Sequence, residues 1–170
     1  MKRKTTGFTL IEMLVTITVA AILLSIGIPS FLAMLATNRL ATATNEFTTS
    51  MSIARSDAIK RRTNVVITAT DGSNAGNEWG PGWSVTVSGG GPTLKVVDAF
   101  PGTITLDSAA GATSFTYSGD GMVNTPQNLY LCDAPGDPKR WIEVTTTGRV
   151  SIWSGNNAKT VNNPNNYACP

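Results

Sequence analysis

Glu12 is a lone carboxylate in an apolar setting, five positions into a run that opens at Phe8; from Met13 to Ala36, 24 residues follow without a formal charge. A carboxylate at mid-membrane costs on the order of 2.5–3.5 kcal/mol on insertion scales, so it needs a partner. The next basic residue along the chain is Arg39, too far for pairing along one helix, so the partner must come from outside it. The chemistry this predicts is an ion pair formed in a medium of low dielectric. A second reactive feature stands just before it. Gly7-Phe8 places a small residue directly ahead of the apolar run and behind Lys2, Arg3 and Lys4, which suits a peptidase cutting on the basic, cytoplasmic side.

Other chemistries are excluded by composition. The chain has no histidine, which removes His-ligated metal sites, Ser-His-Asp triads and Cys-His dyads. Two cysteines cannot build a four-thiolate zinc site. Gly89-Gly90-Gly91 lacks a following Gly-Lys-Ser/Thr and opens no helix, so it reads as a turn and not a phosphate loop. No Ser, Thr or Asp stands beside a recognisable base. A non-enzymatic protein with no cofactor and no metal is expected.

These groups must be positioned by a membrane helix and a β-rich domain. Only 14% of residues are charged, against about 25% in a typical soluble domain, so part of the chain does not face water. Residues 1–62 carry eight basic against three acidic residues, a net of +5; residues 63–170 carry five against eight, a net of −3. An acidic domain lacks the basic footprint that phosphate-backbone binding needs. Met13 to Ala36 spans about 36 Å as a helix at roughly 1.5 Å per residue, enough to cross a ~30 Å hydrocarbon core with some tilt. It is too long for the apolar core of a cleaved secretory signal. Lys2, Arg3 and Lys4 hold its N-terminal side in the cytoplasm, which puts the C-terminal domain across the membrane. Pro29 interrupts the run and predicts a kink, because proline lacks the donor and clashes with the carbonyl of Ser25.

Past Arg39 the pattern becomes amphipathic. Leu40, Ala43, Phe47, Met51, Ala54 and Ala58 form one helical stripe, and Lys60, Arg61 and Arg62 suit the helix C-terminus. One helix from about Phe8 to Arg62 is expected. From Thr63 the texture is β, with strands over 64–70, 83–87, 94–100, 103–106, 114–117, 129–131, 141–145 and 149–153, separated by Gly-rich turns. The fold class is α+β: a long N-terminal helix, its first half transmembrane, packed on an antiparallel β-sheet domain. The segments are 1–7, a leader; 8–36, the transmembrane part; 37–62, the amphipathic part; and 63–170, the globular domain. In an oxidising compartment Cys132 and Cys169 pair as a disulfide that closes the last loop and pins the Asn-rich tail.

Gly7-Phe8-Thr9-Leu10-Ile11-Glu12, behind a short basic leader, resembles the class III leader of type IV pilins and type II secretion pseudopilins. The resemblance implies that a prepilin peptidase cuts after Gly7 and methylates the new amino group of Phe8, taking the formal side-chain charge from +2 to −1. It implies that Glu12 pairs with the Phe8 ammonium of a neighbouring subunit in a filament, and that the helix can loosen at Pro29. Without the motif, Glu12 would read equally well as a complement to the helix dipole or a snorkelling side chain. Phe115-Thr116-Tyr117-Ser118-Gly119-Asp120-Gly121, the strand ending at Cys132, and Trp141 through Gly148-Arg149-Val150 are similar to the GspH/FimT group of pseudopilins and minor pilins. Its members prime or cap assembly of a pilus or secretion pseudopilus, which implies an inner-membrane protein that joins other minor and major pilins in a filament. Some FimT-like members bind DNA through Gly-Arg-x-Arg. Here Gly148-Arg149-Val150-Ser151 lacks the second arginine, so a tip-displayed DNA-uptake or surface-adhesion module is the alternative reading, and Arg149 otherwise supports a turn or a subunit contact.

Overall fold

The computed structural model describes residues 8–73, 76–100, 104–133 and 140–154. Helix α1 runs from Leu10 to Arg61, two residues later at its start than the apolar run suggests, because Thr9 is its cap. The Glu12 amide donates to Thr9 Oγ1 at 3.4 Å and the Met13 amide to the Thr9 carbonyl at 3.3 Å, which satisfies donors that the first turn cannot. The helix passes through Pro29 without a break. It ends where Arg62 takes a left-handed conformation, φ 52°. The Thr63 amide then reaches back to the Ala58 carbonyl and the Arg62 amide to that of Ile59, a paired closure of orphan carbonyls that usually recruits glycine.

The chain forms two compact units, Met1–Asn38 and Arg39–Pro170. In the first, the side chains of the apolar run are exposed as far as Met34, and an 18-residue window has mean hydropathy 2.3. The hydroxyls of Thr16, Thr18 and Ser25 donate to carbonyls of Met13, Leu14 and Ile22 at 2.7–2.9 Å. A segment that meets its polar needs within itself is suited to an apolar medium.

The second unit contains two four-stranded antiparallel sheets where the sequence suggested only an antiparallel domain. Strands β1 (Val65–Ala69), β2 (Gly82–Val87), β3 (Thr93–Asp98) and β5 (Ser114–Tyr117) form one in the order β3-β2-β1-β5. Strands β4 (Thr105–Ser108), β6 (Gln127–Cys132), β7 (Arg140–Val144) and β8 (Val150–Ser154) form the other in the order β4-β6-β7-β8. All eight expected strands are present, β5 with the expected ends and the other seven with one or both ends shifted. β3 stops at Asp98 because the Phe100 amide bonds the Gly80 carbonyl and its ring packs on Trp83, centroids 5.5 Å apart. β8 begins at Val150 because Arg149 belongs to a turn, its carbonyl accepting from the Thr145 amide at 3.0 Å. Gly89-Gly90-Gly91 is the β2–β3 turn, with the Gly91 amide on the Val87 carbonyl.

Leu40, Ala43, Phe47, Met51, Ala54 and Ala58 are all buried, so the whole stripe read from the sequence is core. They share one hydrophobic cluster with Val65 and Ile67 of β1, Trp83 and Val85 of β2, Phe115 and Tyr117 of β5, and Leu129, Leu131 and Ile142 of the second sheet. Phe47 is its centre, edge-on to Trp79, Trp83 and Phe115 at 5.6, 5.3 and 6.1 Å, geometry that adds to area burial. In this core Trp83 Nε1 donates to Ser50 Oγ at 2.9 Å, and Ser50 donates to the Glu46 carbonyl. Trp79 links the two sheets: its amide bonds the Leu106 carbonyl of β4, its ring packs on Trp83 of β2 and Phe115 of β5, and its indole donates to the Ala112 carbonyl at 2.7 Å. Tyr130 and Trp141, cross-strand partners in the second sheet, stack in a separate small cluster.

Candidate functional site

Two sets of residues carry the functional reading. The first lies at the start of α1. Phe8 and the apolar side chains after it are exposed, Phe8 at 76%, and Glu12 occupies the first helical turn. Thr9 capping the helix leaves Phe8 just ahead of that turn. Gly7 lies outside the described residues. Among the described residues, the hydrogen bond given for Glu12 outside the helix ladder is that of its amide to Thr9 Oγ1. Among the described residues no cluster of acidic, cysteine or histidine side chains could hold a metal.

The second set is the pair of turns singled out by their glycines. The Ser118–Gly121 turn is closed by the Gly121 amide on the Ser118 carbonyl and the Met122 amide on Asp120 Oδ1. The Val144–Val150 turn is closed by the Gly148 amide on the Thr145 carbonyl at 2.9 Å. The Val123 amide bonds the Thr146 carbonyl, joining them. Arg55 of α1 is the keystone: one of its terminal nitrogens donates to the Thr147 carbonyl at 3.0 Å. Tyr117, buried beneath, donates to the Gly148 carbonyl at 3.3 Å. Burial pushes the Tyr117 phenol up to about 12, against a smaller opposing pull from the Arg55 charge.

Glycine is needed here for space. A Cβ on Gly148, at φ +71°, would come within 2.3 Å of the Gly121 carbonyl oxygen; one on Gly119 would come within 2.7 Å of the Arg62 carbonyl carbon. The Gly-Asp-Gly and Thr-Gly-Arg signatures therefore dock two turns on each other and on the end of α1. Gly148 is buried and serves packing, while Arg149 beside it is exposed.

Residues 43–148 match the family described as type II transport protein GspH. The chain belongs to the GspH family. Residues 2–28 also match the prokaryotic N-terminal methylation motif. The chain is thus a GspH/FimT-type minor pilin or pseudopilin. The GspH-family fold is shared with the type IV minor pilin FimU of Pseudomonas aeruginosa PAO1 in two crystal forms. One is 24% identical with a TM-score of 0.59, covering 69% of this chain and 90% of FimU. The other is 23% identical at 0.56, covering 66% and 91%. No curated protein matches the chain.

Cys132 is buried at the end of β6, and no described cysteine is free; Cys169, its expected partner, lies outside the described residues. Arg55 escaped the sequence reading. Its signal was there: it follows Ala54 and stands four residues after Met51, at the edge of the buried stripe, where a long cation can reach a loop. The contacts of Asn77 and Glu78 were also missed. Asn77 Oδ1 accepts from the Leu106 amide and Glu78 Oε2 from the Ser108 amide, in a segment with no periodic pattern.

Proposed function

We propose that this GspH-family chain is a non-enzymatic subunit that primes or caps a type IV pilus or type II secretion pseudopilus. It enters the inner membrane with Lys2, Arg3 and Lys4 in the cytoplasm and residues 63–170 in the periplasm. Prepilin peptidase cuts between Gly7 and Phe8 and methylates the Phe8 amine. The exposed apolar part of α1 then leaves lipid for a bundle of like helices, where Ala20, Ala21, Ser25 and Gly27 allow close approach. Pro29 gives that helix a place to loosen. Glu12 pairs with the Phe8 ammonium of an adjoining pilin or pseudopilin, neutralising both charges; removing one partner would strand the other. Cys132 and Cys169 pair in the oxidising periplasm.

The observation that carries this reading is the coincidence in one chain of the Gly7–Glu12 signature, an unpartnered apolar helix of spanning length, and a domain of the GspH family. The test compares Gly7→Leu and Glu12→Ala in cells that assemble the filament. Gly7→Leu should retain the leader, seen as the extra mass of Met1–Gly7. Glu12→Ala should insert and be cleaved yet enter filaments at least tenfold less than the parent. Normal cleavage of the first, or normal incorporation of the second, would count against the corresponding step.

A further inference from the structure

A cleft of about 260 Å³ opens beside the docked turns, lined by Ser52 and Arg55 of α1, Tyr117 of β5, and Gly148, Arg149 and Val150 of the β7–β8 turn. Two arginines, Arg55 and Arg149, are among its lining residues and no Asp or Glu is. The ion pairs among the described residues are Arg61–Asp57 and Lys95–Glu46, neither of which involves Arg55 or Arg149. Arg55 spends one terminal nitrogen on the Thr147 carbonyl, while its Nε is buried without a hydrogen-bond partner. Two like charges brought to one partly enclosed space repel each other, and an anion placed between them reverses that term.

We infer that this cleft receives an acidic side chain, Asp or Glu, of an adjoining filament subunit. The inference rests on the filament reading above and names a contact within it. Three observations select a protein carboxylate. The volume is below the roughly 300–1,000 Å³ of small-molecule sites and suits one side chain. Planar guanidinium groups match carboxylate geometry with two donors each. The cleft sits on a unit, residues 39–170, whose ten basic and ten acidic residues leave no net charge; without a broad positive field, two cations release few counterions from DNA, whereas a single carboxylate on a neighbour meets only the local field.

The test uses the full chain in cells that assemble the filament. R149E and R149K are compared with the parent for leader cleavage, for the share of protein recovered in sheared filaments, and for thermal midpoint in detergent. The full chain in detergent is also tested for retardation of double-stranded DNA at physiological salt. R149E should be cleaved normally and keep its midpoint within about 2 °C, yet enter filaments at least tenfold less, while R149K, which keeps the charge but loses the two-donor fork, loses clearly less than R149E. Incorporation of R149E at the parental level overturns the inference, as does an equal loss in both variants with lowered midpoints, which would make Arg149 a folding residue. DNA retardation abolished by R149E overturns it in favour of a polyanion site. Failure of the filament reading shows separately, in Gly7→Leu and Glu12→Ala.

Discussion

Gly148 shows how much one missing Cβ decides. Its φ of +71° and the 2.3 Å approach that a Cβ would make to the Gly121 carbonyl oxygen combine two penalties, left-handed backbone strain and a clash with main chain that cannot rotate away. Gly148→Ala should destabilise the protein by about 2–3 kcal/mol, read as a lower midpoint in urea with an unchanged slope. Tyr117 sets a different limit. Its folded-state pKa, pushed up to about 12 by burial, lies above the value of about 10 in an unfolded chain. The stability this neutral phenol supports is complete below pH 10 and is lost as pH climbs from 10 toward 12. Tyr117→Phe should flatten the fall in unfolding free energy across that window. An unchanged alkaline limb would show that other groups govern it.

At the scale of elements, α1 performs two tasks with one backbone. Its stripe from Leu40 to Ala58 was legible because a 3.6-residue period demands those spacings for a half-buried helix. The strands were legible through alternation, as in Trp83, Val85 and Val87, all buried. Strand ends were not legible, because they depend on contacts made elsewhere: Phe100 leaves β3 to pack on Trp83, and no local signal announces that. Phe47 stands where helix and sheet meet, fully buried and touching three aromatic rings. Phe47→Ala should cost about 3–5 kcal/mol, combining lost transfer energy with an unfilled cavity, and should lower the thermal midpoint of the folded unit without altering leader cleavage. Impaired cleavage would reveal a dependence of processing on the folded domain.

For the molecule as a whole, stability and assembly draw on different parts of the chain. The second unit closes its own aromatic core, while the first carries an exposed apolar surface. The proposed Cys132–Cys169 disulfide closes a loop of 37 residues, for which the chain-entropy account gives roughly 3–4 kcal/mol. Cys132→Ser should lower the unfolding free energy by about that amount under oxidising conditions and by far less in a thiol reductant; equal values in both would mean that no such bond forms. By itself the sequence determined the leader signature, the spanning run, the core stripe and the order of strands, because each is a local pattern of side-chain type and spacing. Only the tertiary structure decided that the strands divide into two sheets, that Trp79 bridges them, and that Arg55 locks two glycine turns against α1. Those outcomes depend on which distant segments meet, and the backbone pairing and steric fit that choose among possible meetings are not written in any short window of residues.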